Sequence, residues 1–186
     1  MKNIIKIELD EHIKIAKLLY SLTDDIAAAA QICIDSINRG GKILLLGNGG
    51  SAADAQHIAA ELVGRYKANR KSLPAIALTT DSSVLTSISN DFGYDNVFKR
   101  QIEGIANKGD VVIGLSTSGR STNVIKALKL SLELDCKTIS FSGEVNDAIK
   151  DVSDINLAAP SRDTPRIQEM HIVIGHTICH LIEQAF

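Results

Sequence analysis

The sequence predicts an α/β fold in which α-helices cover both faces of a parallel β-sheet. Short apolar segments of strand length alternate with longer segments of helical periodicity along most of the chain, as in proteins built from βαβ units. Segments 43–46 and 111–115 contain no polar side chain, which is typical of strands buried on both faces. A glycine-rich turn follows the first segment and a hydroxyl-rich turn follows the second. Ligand-binding loops are therefore expected at the carboxyl ends of these strands.

Two amphipathic helices precede the first strand, and Gly40-Gly41 ends the second of them. This pair could cover a sheet edge or join a partner subunit. The predicted strands are 42–46, 75–78, 111–115, 137–141 and 154–157, and the predicted helices are 4–20, 24–38, 52–66, 82–89, 97–105, 121–134, 145–150 and 165–184. Thr164 suits the N-cap of the last helix and Pro165 its first turn. No repeat or linker interrupts the pattern, so residues 1–186 are predicted to form one domain that includes the helices of 1–40.

Composition argues against nucleic acid and membrane as partners. Twenty Lys and Arg nearly balance 22 Asp and Glu, and only 4% of residues are aromatic, so neither a basic field nor a base-stacking surface is expected. No apolar run approaches the ~20 residues of a membrane span, and the N-terminus lacks the apolar core of a signal peptide. Three widely spaced cysteines, Cys33, Cys136 and Cys179, are expected to be reduced core residues. The chain is predicted to be cytoplasmic.

The turn Gly47-Asn48-Gly49-Gly50-Ser51 leads from the first strand into a helix. A strand, a glycine turn and a helix N-terminus together present free backbone N–H groups to an anion. The turn lacks the lysine of a nucleotide-hydrolysing P-loop and the full spacing of a dinucleotide-binding loop. A small phosphorylated or polyhydroxylated ligand is the remaining expectation.

The second turn, Ser116-Thr117-Ser118-Gly119-Arg120-Ser121, offers four hydroxyl groups where a strand meets a helix. Hydroxyls and backbone amides donate to phosphate oxygens, and the helix dipole favours negative charge there. The alternative is an N-cap with a solvated turn, which accounts for one hydroxyl and not for four. The turn is predicted to bind phosphate.

Two helices each offer an imidazole and an oxygen or amide ligand on one face. His57 and Glu61 are four residues apart, and Gln168 and His176 lie on one stripe of the last helix. The first pair alone could be a surface ion pair. Polar groups inside an apolar helix need partners, so the two pairs together could hold a metal such as zinc or form an acid–base site.

Other polar candidates carry less information. His171 and His180 are expected to be packing or surface residues, and His12 is assigned no role. Asn90-Asp91-Phe92-Gly93 is predicted to be a turn between two helices. It is either a simple loop or a loop that brings Asp91 to a sugar hydroxyl.

Both turns and both helices together resemble the sugar isomerase (SIS) domain family over essentially the whole chain. The motifs that carry the resemblance are Gly47-Asn48-Gly49-Gly50-Ser51, His57 to Glu61, Gly64-Arg65-Tyr66, Asn90-Asp91-Phe92-Gly93, Ser116-Thr117-Ser118-Gly119 and Arg166-Ile167-Gln168-Glu169. The resemblance implies a flavodoxin-like three-layer αβα sandwich with five parallel strands. It also implies a homotetramer whose active sites form at subunit contacts, which would explain the N-terminal helices.

The implied reaction converts sedoheptulose 7-phosphate into D-glycero-D-manno-heptose 7-phosphate through a cis-enediol, for lipopolysaccharide or capsule precursors. Carried over by position, the base is Glu61 and the acid is His176, and the Zn²⁺ ligands are His57, Glu61, Gln168 and His176. The implied substrate contacts are Asn48, Gly49, Gly50, Ser51, Glu61, Asn90, Asp91, Ser116, Thr117, Ser118, Ser121 and Gln168. Pro165 stands where some members carry an assisting aspartate, and that role is not transferred to Asp163.

Two non-catalytic functions compete with the isomerase. One branch of the family is a tetramer that binds the bacterial replication initiator, and in it the residues matching Glu61 and His176 are typically replaced. Both residues are intact here, which favours the isomerase. A sugar-phosphate-sensing domain of a transcription regulator would need a DNA-binding domain, for which the predicted elements leave no room.

Overall fold

A parallel β-sheet lies between two layers of helices. The computed structural model describes residues 1–186, and its five strands follow the order β2-β1-β3-β4-β5 with all neighbours parallel. The strands are β1 (Ile43–Gly47), β2 (Ala75–Ala77), β3 (Val111–Ser116), β4 (Lys137–Ser142) and β5 (Ile155–Ala158). The helices are α1 (Lys2–Leu18), α2 (Thr23–Asn38), α3 (Gly50–Val63), α4 (Ser82–Phe92), α5 (Val97–Ile105), α6 (Thr122–Glu133), α7 (Asp147–Lys150) and α8 (Thr164–Glu183). The predicted sandwich with five parallel strands is confirmed.

Each face of the sheet has its own core because successive strand residues point to opposite sides. Ile43 and Leu45 join the core beneath α2, α3 and α8, whereas Leu44 and Leu46 join the core beneath α5, α6 and α7. All four side chains are fully buried. This explains why the strand is apolar at each of these positions.

The order of the strands reverses at β1, which pairs with β2 on one side and β3 on the other. Gly47 lies opposite Leu115 in the ladder between β1 and β3, so the turns that follow these strands leave the sheet side by side. In open parallel sheets, ligands bind at the carboxyl edge where the order reverses. Both predicted binding turns are at this position.

The boundaries of several helices differ from the prediction, and those of α4 and α3 affect predicted site residues. α4 continues through Phe92 and ends at Gly93, whose φ of +81° favours glycine. Asn90 and Asp91 therefore lie in its last turn, and the predicted loop at these residues is wrong. α3 begins at Gly50 and ends at Val63, so Tyr66 lies in the following loop.

The start of α8 also differs from the prediction. Asp163 occupies the N-cap position, no side chain caps the helix, and Thr164 is already helical. The assignment of Thr164 as N-cap is therefore wrong, whereas Pro165 lies in the first turn as predicted. Ser161 fixes the chain just before the helix, because its Oγ accepts a hydrogen bond of 3.1 Å from the N–H of Asp163.

The two N-terminal helices have different surroundings. α2 packs on α8 and on the sheet, and it buries Ile26, Ala29, Ala30 and Cys33. α1 buries none of its residues. Its large exposed apolar side chains are Ile4, Ile5, Ile7, Leu9, Ile13 and Leu18. No helix of the protein has the length and apolar character needed to cross a membrane.

All three cysteines are free and buried, as predicted. Burial raises the pKa of Cys33 and of Cys179 to about 12, and that of Cys136 to about 11. They are core residues with protonated thiols at neutral pH.

Candidate active site

The glycine turn after β1 is held in one geometry by its own backbone and by Asn48. Gly49 has a φ of +54°, and a Cβ on Gly47 would lie 2.8 Å from the carbonyl oxygen of Ser51, so glycine is needed at both positions. The side-chain amides of Asn48 and Asn123 donate to each other at 2.9 Å. The hydroxyl of Tyr94 also donates to Oδ1 of Asn48 at 3.0 Å. Sequence reasoning missed Tyr94 and Asn123 because Asn48, the hydrogen-bond partner of both, is 46 and 75 residues away in the chain.

The hydroxyl turn after β3 gathers three serine side chains at the start of α6. The Oγ atom of Ser116 lies 2.9 Å from that of Ser121 and 3.5 Å from that of Ser118. The backbone N–H of Ser121 donates to Oγ of Ser116 at 3.4 Å. This arrangement concentrates donors at a helix N-terminus, where an anion is favoured.

A cavity of about 260 Å³ opens beside this turn, lined by Thr117, Ser118, Arg120, Glu144, Val145, Ser161, Arg162, Thr164 and Ile167. Arg162 donates to Glu144 at 2.9 Å. The guanidinium of Arg120 has no ionic partner in the protein. Sequence reasoning did not find the residues from the loops after β4 and β5, because only the sheet brings them to the turn.

His57, Glu61 and His176 converge although α3 and α8 are far apart in the chain. The Nε2 atoms of His57 and His176 are 2.9 Å apart, and Nε2 of His57 lies 3.1 Å from Oε1 of Glu61. The three potential ligand atoms lie within 4.8 Å of one another. Close approach of the helices depends on Gly175, where a Cβ would lie 2.5 Å from Cδ1 of Ile58.

This cluster fits either a proton or a metal ion between its ring nitrogens. Two nitrogen lone pairs at 2.9 Å repel unless one nitrogen carries hydrogen or both bind a cation. Zn²⁺ with tetrahedral bonds of about 2.0–2.1 Å sets its ligands roughly 3.3 Å apart. The observed spacings of 2.9 and 3.1 Å come close to this value. The donor set of two imidazoles and a carboxylate also suits zinc.

Gln168 lies at the other end of the contact between α3 and α8. Its amide packs so closely on Gly50 that a Cβ there would collide with Nε2 and Cδ of Gln168. Gly50 opens α3 seven residues before His57, roughly 10 Å along the helix axis. Gln168 thus contacts the glycine turn directly, and its role as a metal ligand stays a prediction.

Comparisons of the sequence and of the structure with known proteins identify the same family. The model of the SIS domain family matches residues 12–143. A phosphoheptose isomerase of Aliarcobacter butzleri is 56% identical over 97% of this chain and 95% of its own. The solved phosphoheptose isomerase of Neisseria gonorrhoeae is 40% identical, with a TM-score of 0.93 over 98% of both chains. The chain belongs to the phosphoheptose isomerases of the SIS domain family. It is an isomerase, as the intact Glu61 and His176 led us to expect.

In this phosphoheptose isomerase family member, Asn90 and Asp91 are hydrogen-bonded to each other at 2.8 Å and to no other predicted site residue. Both are exposed at the end of α4. Their position in a helical turn, and not in a flexible loop, limits how far Asp91 can move toward a ligand. Contact with sugar hydroxyls stays a prediction for both residues.

A second carboxylate lies one helical turn before His57. Burial raises the pKa of Asp54, and the nearby His57 opposes this effect. Its Oδ2 atom is buried without a hydrogen-bond partner. Sequence reasoning missed Asp54 because its spacing to His57 does not distinguish it from other helical acids.

Proposed function

We propose that this chain interconverts sedoheptulose 7-phosphate and D-glycero-D-manno-heptose 7-phosphate. The cluster of His57, Glu61 and His176 carries this proposal, because it puts a carboxylate and two imidazoles within 4.8 Å. Aldose–ketose isomerisation moves one proton between neighbouring carbons and another between their oxygens. A carboxylate and an imidazole in reach of each other are suited to these two tasks. The relatives named phosphoheptose isomerase support the choice of substrate.

The phosphate end of the sugar binds at the two turns of the carboxyl edge. Ser116, Thr117, Ser118 and Ser121 donate to its oxygens, and the N-terminus of α6 favours its charge. Asn48, Gly49, Gly50 and Ser51 supply the second cradle, with Gln168, Asn90 and Asp91 on the sugar hydroxyls. Binding the phosphate away from the reacting carbons orients the sugar, and this orientation lowers the barrier of the chemical step.

Glu61 is the base that removes the carbon-bound proton and returns it to the neighbouring carbon. The product of the first transfer is a cis-enediol. His176 protonates one oxygen and deprotonates the other as the double bond shifts. Positioned general acids and bases of this kind contribute about 10²–10⁴-fold each.

His57, Glu61, Gln168 and His176 would hold one Zn²⁺ per subunit. When bound there, zinc supplies a Lewis acid that polarises the sugar carbonyl. His57 then serves as a ligand only, since the acid and base roles belong to the other two residues. The amide oxygen of Gln168 would be the fourth ligand.

The enzyme works as a cytoplasmic homotetramer that supplies heptose for lipopolysaccharide or capsule precursors. The apolar side chains that α1 leaves exposed support self-association, because burial in an interface would remove them from water. A groove of about 410 Å³ between the N-terminal helices and α8 continues this surface. The free thiols of all three cysteines fit a reducing compartment.

The test is incubation of purified protein with sedoheptulose 7-phosphate, followed by NMR detection of the aldose. Parallel samples contain a chelator, or a chelator followed by added Zn²⁺. Product in the untreated sample is expected, with loss on chelation and recovery with zinc. No product under any condition would contradict the isomerase and favour the replication-initiator-binding function. If product forms equally well with the chelator present, only the role of the metal would be contradicted, and the isomerase activity would stand.

A further inference from the structure

A buried carboxylate of α8 holds the loop that follows α3. Glu183 has a fully buried side chain and accepts hydrogen bonds from three consecutive backbone amides. These come from Tyr66 at 2.9 Å, Lys67 at 2.9 Å and Ala68 at 2.7 Å. Burial by itself would raise the pKa of Glu183, but these amides and Arg70 outweigh it and lower the pKa. The carboxylate is therefore charged and acts as the anchor of the loop.

Arg70 fastens the other end of the same loop to α3. Its Nε lies 3.6 Å from Oε2 of Glu183. Its two terminal nitrogens donate to the carbonyl oxygens of Leu62 and Glu61, each at 2.8 Å. These carbonyls belong to the end of the helix, where no intrahelical donor is present. The loop is thus tied to both helices that carry the cluster of His57, Glu61 and His176.

The ring of Tyr66 covers one side of that cluster. Its centroid lies 5.2 Å from the ring of His176 and 5.8 Å from that of His180. The ammonium group of Lys67 lies 5.1 Å from the same centroid. Tyr66 is half-buried, and its hydroxyl makes no hydrogen bond within the protein. The aromatic ring and not the hydroxyl therefore makes the contact with His176.

His176 has few other restraints. Its Nε2 faces His57, while its Nδ1 has no hydrogen-bond partner in the protein. Histidines that bind metals usually have the second nitrogen fixed by a carboxylate or a carbonyl. Here the ring plane of His176 is fixed by packing against Tyr66.

We propose that Tyr66 is a positioning residue for His176, and that Glu183 positions Tyr66 through the three loop amides. The catalytic consequence and the effect on zinc affinity rest on the proposed function, whereas the effect on the His176 imidazole in the metal-free protein does not. Loss of an outer partner of a metal ligand typically costs 10–100-fold in metal affinity or activity. The same range is expected for loss of the Tyr66 ring.

The experiment compares Tyr66→Leu with Tyr66→Phe in the full chain. Zinc affinity is measured by competition with a chromophoric chelator, and the imidazole nitrogens are observed by NMR in the metal-free protein. We expect Tyr66→Leu to weaken zinc binding about 10–100-fold, to shift the His176 signals and to lower kcat more than it raises KM. Tyr66→Phe keeps the ring and should match the wild type in all of these.

Glu183 is tested in two ways, since its replacement carries a risk of misfolding. Hydrogen exchange of the wild type should show the amides of Tyr66, Lys67 and Ala68 protected, although the loop is at the surface. Glu183→Gln turns one of the two acceptor oxygens into a donor that faces the loop amides, so it should weaken zinc binding in the same direction as Tyr66→Leu.

Three results would overturn the inference. The first is a Tyr66→Leu variant with wild-type zinc affinity and unchanged His176 signals. The second is an equal loss of zinc affinity in Tyr66→Leu and Tyr66→Phe. The third is a wild-type protein whose loop amides exchange as fast as in an unfolded chain. A wild-type protein without isomerase activity contradicts the proposed function instead, and the NMR and exchange results still decide the positioning role.

Discussion

His57 and His176 face one another through their Nε2 atoms at 2.9 Å. His57 also faces Oε1 of Glu61 at 3.1 Å, so the shared hydrogen belongs on His57 and the lone pair on His176. Zinc requires lone pairs on both nitrogens. We therefore expect His57 to change from the Nε2–H to the Nδ1–H tautomer when zinc binds, which ¹⁵N NMR of the imidazoles detects. Identical His57 signals with and without zinc would contradict the shared site.

Replacement of Glu61 by Gln removes the proposed base and keeps the shape of the side chain. Turnover should fall by at least ~10²-fold, the usual scale for a group of this kind, with the fold unchanged by circular dichroism. Glu133→Gln is the matched control, because Glu133 is exposed on α6. Near-normal turnover in Glu61→Gln would rule out the assignment of the base.

Gly50→Ala tests the contact between the glycine turn and Gln168. The added Cβ would collide with the end of the Gln168 side chain, which can swing away at little cost to stability. Displacing that amide should raise KM by about tenfold, the value of roughly one hydrogen bond, while the melting temperature stays close to that of the wild type. Gly104→Ala in α5 meets no atom within 4 Å and should leave KM unchanged. A wild-type KM in Gly50→Ala would show that Gln168 does not contact the sugar.

His171 makes the stability of the protein sensitive to acid. Its Nε2–H donates to the carbonyl of Ser142 at 3.0 Å, and its Nδ1 is buried without a partner. Burial lowers its pKa from 6.5 to about 4, although the Ser142 hydrogen bond opposes this effect. The folded state therefore resists protonation, so its stabilising contribution is complete above pH 6.5 and is lost as the pH falls toward 4.

Urea unfolding at pH 7 and pH 4.5 measures this contribution. The wild type should lose about 2 kcal/mol more of its unfolding free energy than His171→Gln between these pH values. The comparison between the two proteins cancels the carboxylates that also titrate in this range. Equal losses in the two proteins would contradict the depressed pKa of His171.

Exposed apolar residues of α1 should control the assembly. Ile5 and Leu9 are more than half exposed and lie on one face of the helix, four residues apart. The double replacement Ile5→Lys with Leu9→Lys should shift the proposed tetramer to smaller species in sedimentation velocity, since lysine disfavours burial in an interface. Glu11→Lys, at a polar exposed position, is the control. A tetramer that tolerates both lysines would place the interface elsewhere.

Much of the fold could be predicted because its signals are local. The continuous apolar run of β3 and the periodicity of α5 predicted those elements to within one residue at each end. Asn90 and Asp91 misled the prediction, since residues common in turns also fit the last turn of a helix when Gly93 ends it. Thr164 was wrongly assigned as N-cap for a similar reason, because Asp163 and Thr164 are both good capping residues.

Parts of the candidate site could be predicted, and others could not. His57 with Glu61, and Gln168 with His176, have helical spacings that are visible in the sequence. Tyr66 and Glu183 have no such signal, because 117 residues separate the loop amide from its acceptor. Only the parallel packing of α3 and α8 brings them together, and no local pattern encodes which loop a buried carboxylate will hold.

His57 and His176 are 119 residues apart in the chain, which has a consequence for biosynthesis. A nascent polypeptide that has not yet released α8 from the ribosome offers only half of the imidazole pair. Fragments from stalled translation or from proteolysis before α8 would therefore lack half of the proposed zinc site. Metal capture at the proposed site would report that synthesis and docking of the final helix are complete.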